Sequence, residues 1–228
     1  MKCLAIFATA VVAVISGAEL KSQSPIDLSS SVKPIVNAGN FSVAVSADKG
    51  VVLHDDHTIK TTWAAGPNSH LTLNGRTYNS IQFHPHVPSE HTIDGKKYPF
   101  EVHFVHADKD KNLAVVGVLF EEGDKPHPFW AQVFQGLDGL TKPGDNYTVA
   151  SIDATLLGLG ESDVWRYSGS LTTPPYTEGV EWTVLKTVQK ISKDQLAAYK
   201  KVIHHDYARD VQPLNGRVVS LVAKGNKP

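Results

Sequence analysis

The feature that most constrains this chain is the frequency with which apolar and polar residues alternate one by one, between pairs of turn-forming residues. FSVAV (41–45), HTIKTTW (57–63) and SIQFHPHV (80–87) all alternate with a period of two, the repeat of a strand with one face buried. Asn74-Gly75 and Asp94-Gly95 suit two-residue hairpin turns, since their residues tolerate positive φ. LAVVGVLF (113–120) is apolar throughout, as a strand covered on both faces must be. Two segments have helical spacing instead. PFWAQVFQGL (128–137) puts Phe129, Val133 and Leu137 on one stripe, and SKDQLAAYKKVI opens with Ser192 and Gln195 as a capping box above Leu196, Tyr199 and Ile203. The expected fold is mainly β (α+β): a single domain with a central, twisted, largely antiparallel sheet and short peripheral helices.

Length and charge agree with one domain and narrow its partners. A chain of 228 residues, 41% hydrophobic, buries a substantial core without a second unit. Lys and Arg total 22 against 23 Asp and Glu, with no long run of either sign, which argues against nucleic acid and anionic membrane as partners. MKCLAIFATAVVAVISGAEL has a lysine, an apolar run from Cys3 to Ile15, and small residues at Ser16 and Ala18. The pattern predicts a signal peptide over 1–18 and a mature domain over 19–228, exported to the periplasm or secreted. The run is shorter than the roughly 18 to 20 residues that cross a bilayer, so no stable membrane anchor is expected. Cys3 is the only cysteine and falls in the leader, so no disulfide is expected in the mature chain.

Five of the eleven histidines fall between residues 81 and 106. Residues two apart on a strand share a face, so His84 and His86 project side by side, a spacing that suits two ligands on one metal. The chain turns at Asp94-Gly95 and returns through FEVHFVH as an antiparallel neighbour. His103 and His106 face opposite ways there, so only one of them can join the first pair. Gln82 shares a face with His84 and His86, and Glu101 shares one with His103. A metal-bound imidazole normally gives its other N–H to such an acceptor, and burying either acceptor alone would be costly. The pattern therefore favours a metal site of His84, His86 and His103 backed by Gln82 and Glu101. Three nitrogens leave a fourth tetrahedral position open, as in catalytic rather than structural zinc sites. His91 and His106 are expected to be hydrogen-bonding members of the fold, and His54, His70, His127, His204 and His205 to be ordinary surface or core residues.

With these motifs in view, the chain resembles the α-class carbonic anhydrases, in their bacterial secreted branch. The resemblance runs from SQSPIDL (22–28) through DDHTI, QFHPH, PSEHTIDGKKYPFEVHFVH, VVGVLFEEG and YSGSLTTPP to VQPLNGR (211–217). It implies an α-carbonic anhydrase-like fold and zinc-dependent, reversible hydration of carbon dioxide to bicarbonate and a proton. Zinc would be held by His84, His86 and His103, and the nucleophile would be zinc-bound hydroxide. By the same resemblance, Thr172 accepts the hydrogen bond of that hydroxide and passes its own to Glu90, while His57 matches the proton shuttle. Val105, Val115, Leu171, Val180 and Trp182 match the apolar wall for carbon dioxide, and Thr173 matches a residue contacting bicarbonate.

Three departures stand out against that family. SGAELKSQSPI joins the leader to QSPI directly, without the usual aromatic-rich segment. Tyr176 stands where secreted bacterial relatives carry a cysteine whose disulfide partner lies in that missing segment. Pro85 replaces the usual aromatic between the first two ligands, and a proline in a central strand forfeits a ladder hydrogen bond. Two other functions compete: a non-catalytic carbonic-anhydrase-like binding domain, and a zinc esterase using the same hydroxide in a roomier cleft. Retention of all three histidines with Glu90 and Thr172 speaks against the first.

Overall fold

The alternating segments fold as strands, and the turn pairs close hairpins between them. A computed structural model describes residues 20–33, 41–63 and 68–223, so the expected leader at 1–18 lies outside the described residues. Strands β1 (Asp27–Leu28), β2 (Phe41–Ala44), β3 (Ala47–Asp55), β4 (Thr58–Trp63), β5 (His70–Leu73) and β6 (Arg76–His86) come first. They are followed by β7 (Thr92–Ile93), β8 (Lys96–Lys97), β9 (Phe100–Ala107), β10 (Leu113–Gly123) and helix α1 (Pro128–Val133). Then come β11 (Asn146–Asp153), β12 (Val164–Ser170), β13 (Glu178–Leu185), β14 (Gln189–Ser192), α2 (Lys193–Val202) and β15 (Ser220–Val222). The main sheet runs β11-β3-β4-β6-β9-β10-β13-β12-β15, with β14 added beside β10, β5 beside β6 and β2 beside β5. It is twisted and largely antiparallel, with β10 parallel to β13 and β14.

Both expected turns form with positive φ: 50° and 78° at Asn74 and Gly75, 48° and 76° at Asp94 and Gly95. Asn74-Gly75 joins β5 to β6 as a two-residue hairpin. Asp94-Gly95 does not join the two histidine strands directly, because it closes the small β7–β8 hairpin within the connection between them. A third turn was less visible. Asp56 (φ 48°) and His57 form the tip between β3 and β4, so His57 sits at a hairpin tip and β4 begins one residue later. The first helix is also shorter than its spacing predicts, ending at Val133 and continuing as a 3-10 helix over Phe134–Gly139, with Phe129, Val133 and Leu137 all buried. The second carries the Ser192–Gln195 capping box and buries Leu196, Tyr199 and Ile203.

Strand parity divides the sheet into two unlike faces. Phe83 of β6, Phe100, Val102 and Phe104 of β9, and Ala114, Val116, Val118 and Phe120 of β10 enter one core with Phe129, Trp130, Leu196 and Tyr199 of the helices. Burial of each such aromatic or aliphatic side chain contributes about 1.5–3 kcal/mol. The residues between them point the other way, where Val105, Val115 and Leu119 pack with Val180, Trp182 and Val184 of β13. The continuous apolar run of β10 is thus covered on both sides, as its composition requires.

Pro85 loses less than a central strand position suggests. It pairs with Val102 of β9 in register, and its carbonyl accepts a hydrogen bond from Thr58 Oγ1 at 2.7 Å, on the β4 side. N–H and C=O of one strand residue point the same way, so the absent N–H would also face β4. The β4–β6 ladder has already ended, at Thr61 opposite Phe83. The proline therefore occupies a position where no backbone partner waits for its nitrogen.

Candidate metal centre

The β6–β9 register decides which histidines meet. His84 lies directly opposite His103, and Pro85 and His86 lie opposite Val102 and Glu101. Ligand-capable atoms of His84, His86 and His103 all lie within 4.8 Å of one another. His106 falls on the other face of β9, buried, with Nδ1 2.9 Å from the Phe104 carbonyl.

Each of the three imidazoles has one nitrogen engaged by an acceptor. His84 Nδ1 is 2.9 Å from Gln82 Oε1, His103 Nε2 is 2.9 Å from Glu101 Oε1, and His86 Nδ1 is 3.3 Å from the Tyr207 carbonyl. These bonds turn the opposite nitrogens toward one point. His86 Nε2 is buried and has no hydrogen-bond partner, a costly state for a polar atom. Three imidazole nitrogens converging with their far sides held form the donor set of a zinc site with three protein ligands and one open position, and the residues fit that ion. A second group, His91, Glu101 and His103, also clusters. Its members are already spaced as hydrogen-bonded partners, at 2.7 and 2.9 Å, which favours the first trio for the metal.

Burial and mutual repulsion shift two of these rings toward the uncharged form. Burial is the main force lowering His84 well below the usual imidazole value, helped by the positive charges that His86, His103 and Lys60 would present. His86 is lowered as well, chiefly by burial. Burial also acts on His103, but the Glu101 carboxylate, with Glu90 behind it, outweighs burial and raises that ring. Burial would push Glu101 itself up, yet the imidazoles of His91 and His103 hold it well below the carboxylate range.

Glu101 is fully satisfied. Its Oε1 meets both His103 and His91 Nδ1 (2.7 Å), and its Oε2 accepts from the backbone N–H groups of Glu90 (2.8 Å) and His91 (2.9 Å). His91 Nε2 lies 2.7 Å from the Tyr167 hydroxyl, which lies 3.0 Å from Ser24 Oγ. A buried chain thus ties the ligand strand to the N-terminal segment. Gly117 of β10 pairs with His103 of β9, and a Cβ there would stand 3.1 Å from Glu101 Oε1. The small residue leaves room for the carboxylate.

The remaining expected residues surround two adjoining hollows. An inner cavity of about 120 Å³ is lined by Gln82, His84 and His103 together with Val105, Val115, Leu171, Thr172, Thr173 and Trp182. Val180 is buried in the same apolar cluster but does not line it. An outer cleft of about 500 Å³ is shared by His57, Thr58, Lys60, His84, His86, Thr173, Pro174 and Tyr207. Thr172 and Glu90 are both buried, but no hydrogen bond links them among the described residues. Glu90 Oε1 accepts from the Arg209 backbone N–H at 2.9 Å, and Oε2 has no hydrogen-bond partner.

Comparison with known proteins settles the family. The family model for eukaryotic-type carbonic anhydrase matches residues 13–223. The chain belongs to the α-class carbonic anhydrase family. A carbonic anhydrase of Neisseria gonorrhoeae is 39% identical over 202 residues, covering 87% of this chain and 77% of that protein. The α-carbonic anhydrase of Thermovibrio ammonificans, solved with the inhibitor sulfanilamide, is 41% identical with a TM-score of 0.80, covering 88% of this chain and 87% of that one. Dioscorin, solved with ascorbate, superposes with a TM-score of 0.82 at 28% identity, covering 89% and 86%.

Within this carbonic anhydrase, several site neighbours left no mark on the sequence pattern. Tyr207 and Arg209 come from an irregular stretch after α2 whose residues have no periodicity. Tyr176, at the position where the resemblance implies a cysteine, lies under the Arg209 guanidinium at 3.9 Å, and its carbonyl accepts from Gln23 Nε2 at 3.2 Å. Arg209 Nη1 also donates to the Ser24 carbonyl at 2.6 Å. The Thr172-Thr173 loop is therefore tied to the N-terminal segment without a covalent link.

Proposed function

We propose that the enzyme hydrates carbon dioxide reversibly to bicarbonate and a proton at a zinc ion held by His84, His86 and His103. The observation that carries this reading is the convergence of three imidazoles, each with its far nitrogen engaged, at the boundary of a small apolar cavity. Zinc at this site supplies Lewis acidity that makes a water nucleophilic near neutral pH, chemistry for which this family is the standard example.

The protein's own residues do the rest. Gln82, Glu101 and the Tyr207 carbonyl hold the rings in one orientation and one tautomer. Val105, Val115, Leu171 and Trp182 form a dry wall on which a small neutral gas displaces water more readily than a charged product would, and Val180 belongs to the same apolar cluster. Thr172 and Thr173, where the inner cavity meets the ligands, orient the nucleophile and contact bicarbonate. Glu90, not hydrogen-bonded to Thr172 in this structure, keeps a buried, unpartnered Oε2 as the acceptor that Thr172 would take up when the site is occupied. His57, in the outer cleft, accepts the released proton on a ring nitrogen and hands it to buffer. The inner cavity, at about 120 Å³, suits a triatomic gas better than the acyl group of an ester. The leader pattern assigns this activity to the periplasm or the exterior.

Stopped-flow hydration of carbon dioxide by the purified protein, with and without chelator, tests the reading beside a His86→Ala variant. Wild type should show hydration that chelator abolishes and zinc restores, with His86→Ala at the buffer rate. Hydration no faster than buffer in the zinc-loaded wild type would sink the enzyme reading.

A further inference from the structure

His57 has little around it to fix its direction. It sits at the β3–β4 hairpin tip with its side chain 55% exposed, and an imidazole there is free to sample several rotamers. The charged groups nearby do not hold it closely: Asp56 Oδ2 is 3.8 Å from its Nε2, and Asp55 is paired with Lys60. One neighbour does. The Tyr207 ring lies parallel to the imidazole, 7° between planes and 4.6 Å between centroids, while His205 meets it edge-on at 5.8 Å.

Tyr207 is also joined to the metal site. Its backbone carbonyl accepts from His86 Nδ1, and two residues further on the Arg209 N–H is bonded to Glu90. The stretch carrying the tyrosine ring is thereby anchored at two points, His86 and Glu90.

We propose that Tyr207 is a positioning residue for proton exit, its aromatic face holding the His57 imidazole over the outer cleft while its main chain holds His86. This rests on the reading of His57 as the proton acceptor. It assigns the effect to the face of the ring and not to the phenol hydroxyl, so phenylalanine should serve as well.

Stacked aromatic contacts of this kind bias an orientation by roughly threefold to tenfold. In weakly buffered stopped-flow assays of the zinc-loaded enzyme, Tyr207→Leu should lower kcat by about that factor, with kcat/KM changed far less, since kcat alone includes proton export. Added imidazole buffer should restore kcat, and Tyr207→Phe should match wild type. A second measurement does not depend on turnover. In the metal-free protein, the His57 ring protons should be shifted upfield by the tyrosine ring current, remain so in Tyr207→Phe and move downfield in Tyr207→Leu. An unchanged His57 shift in Tyr207→Leu, a parallel fall of kcat and kcat/KM, or a phenylalanine variant as impaired as leucine would each overturn the proposal. If the wild type hydrates no carbon dioxide, the underlying function fails and the proton role with it. The spectra would then still report whether the stack itself exists.

Discussion

The two faces of the strands β6, β9 and β10 are built from neighbouring residues yet obey different rules. On one face Phe83, Phe104 and Val116 pack against the helices. On the other, His84, His103 and Gly117 belong to a polar cluster in which most hydrogen-bonding groups have a named partner. The apolar face stabilises by area removed from water, a non-directional quantity that depends on volume. The polar face contributes through geometry, because a buried polar group without a partner costs more than a satisfied one contributes. Stability and metal binding should therefore respond to different substitutions on the same strand.

The largest expected effect is on the packed side. Phe104→Ala should lower unfolding free energy by about 3–5 kcal/mol in urea titrations, while metal affinity of the folded fraction changes far less. A parallel collapse of zinc affinity would show the two faces to be energetically inseparable.

His106 sharpens the comparison, being a polar residue on the apolar side of β9. Burial, the main cause, lowers its pKa to about 4 from an unfolded value of 6.5. The unfolded chain thus takes up the proton first as pH falls, so this contribution to stability is complete above pH 6.5 and lost as pH drops through 4. The loss amounts to about 3 kcal/mol, and the metal-free His106→Gln variant should show a shallower decline over that range than wild type.

The smallest effect belongs to the polar face. Gln82→Ala should leave the urea midpoint nearly unchanged yet weaken zinc binding about tenfold to a hundredfold, or roughly 1.4–2.7 kcal/mol, by competition with a chromophoric chelator. Unaltered affinity would mean that the His84–Gln82 hydrogen bond does not orient the ring.

Much of this site was legible beforehand because strands impose a period of two. Parity alone put Gln82, His84 and His86 on one face and separated His103 from His106, and acceptors two residues from the imidazoles pointed inward beside them. The capping box of α2 and the Asn74-Gly75 turn were legible for a similar reason, since each depends on residues within one turn of the chain. His57 was placed within a strand, whereas the hairpin tip claims it, because Asp56 takes the positive φ that Asn and Asp accept more readily than other residues with side chains. The Asp94-Gly95 turn formed, but between strands too short to be read from alternation.

Local pattern thus determined the secondary structure, the two-faced strands and the set of histidines from which a metal site could be drawn. Tertiary structure alone decided the pairing of His84 with His103, the burial of Glu101 beneath His91, and the arrival of Tyr207 and Arg209 from more than 100 residues away at the ligand cluster. It also showed why Pro85 is tolerated between two ligands, at the point where the β4 ladder has ended. The physical reason is that dihedral preferences and alternation act over a few residues, whereas strand register and loop docking are fixed only when distant side chains compete for the same buried volume and the same hydrogen bonds.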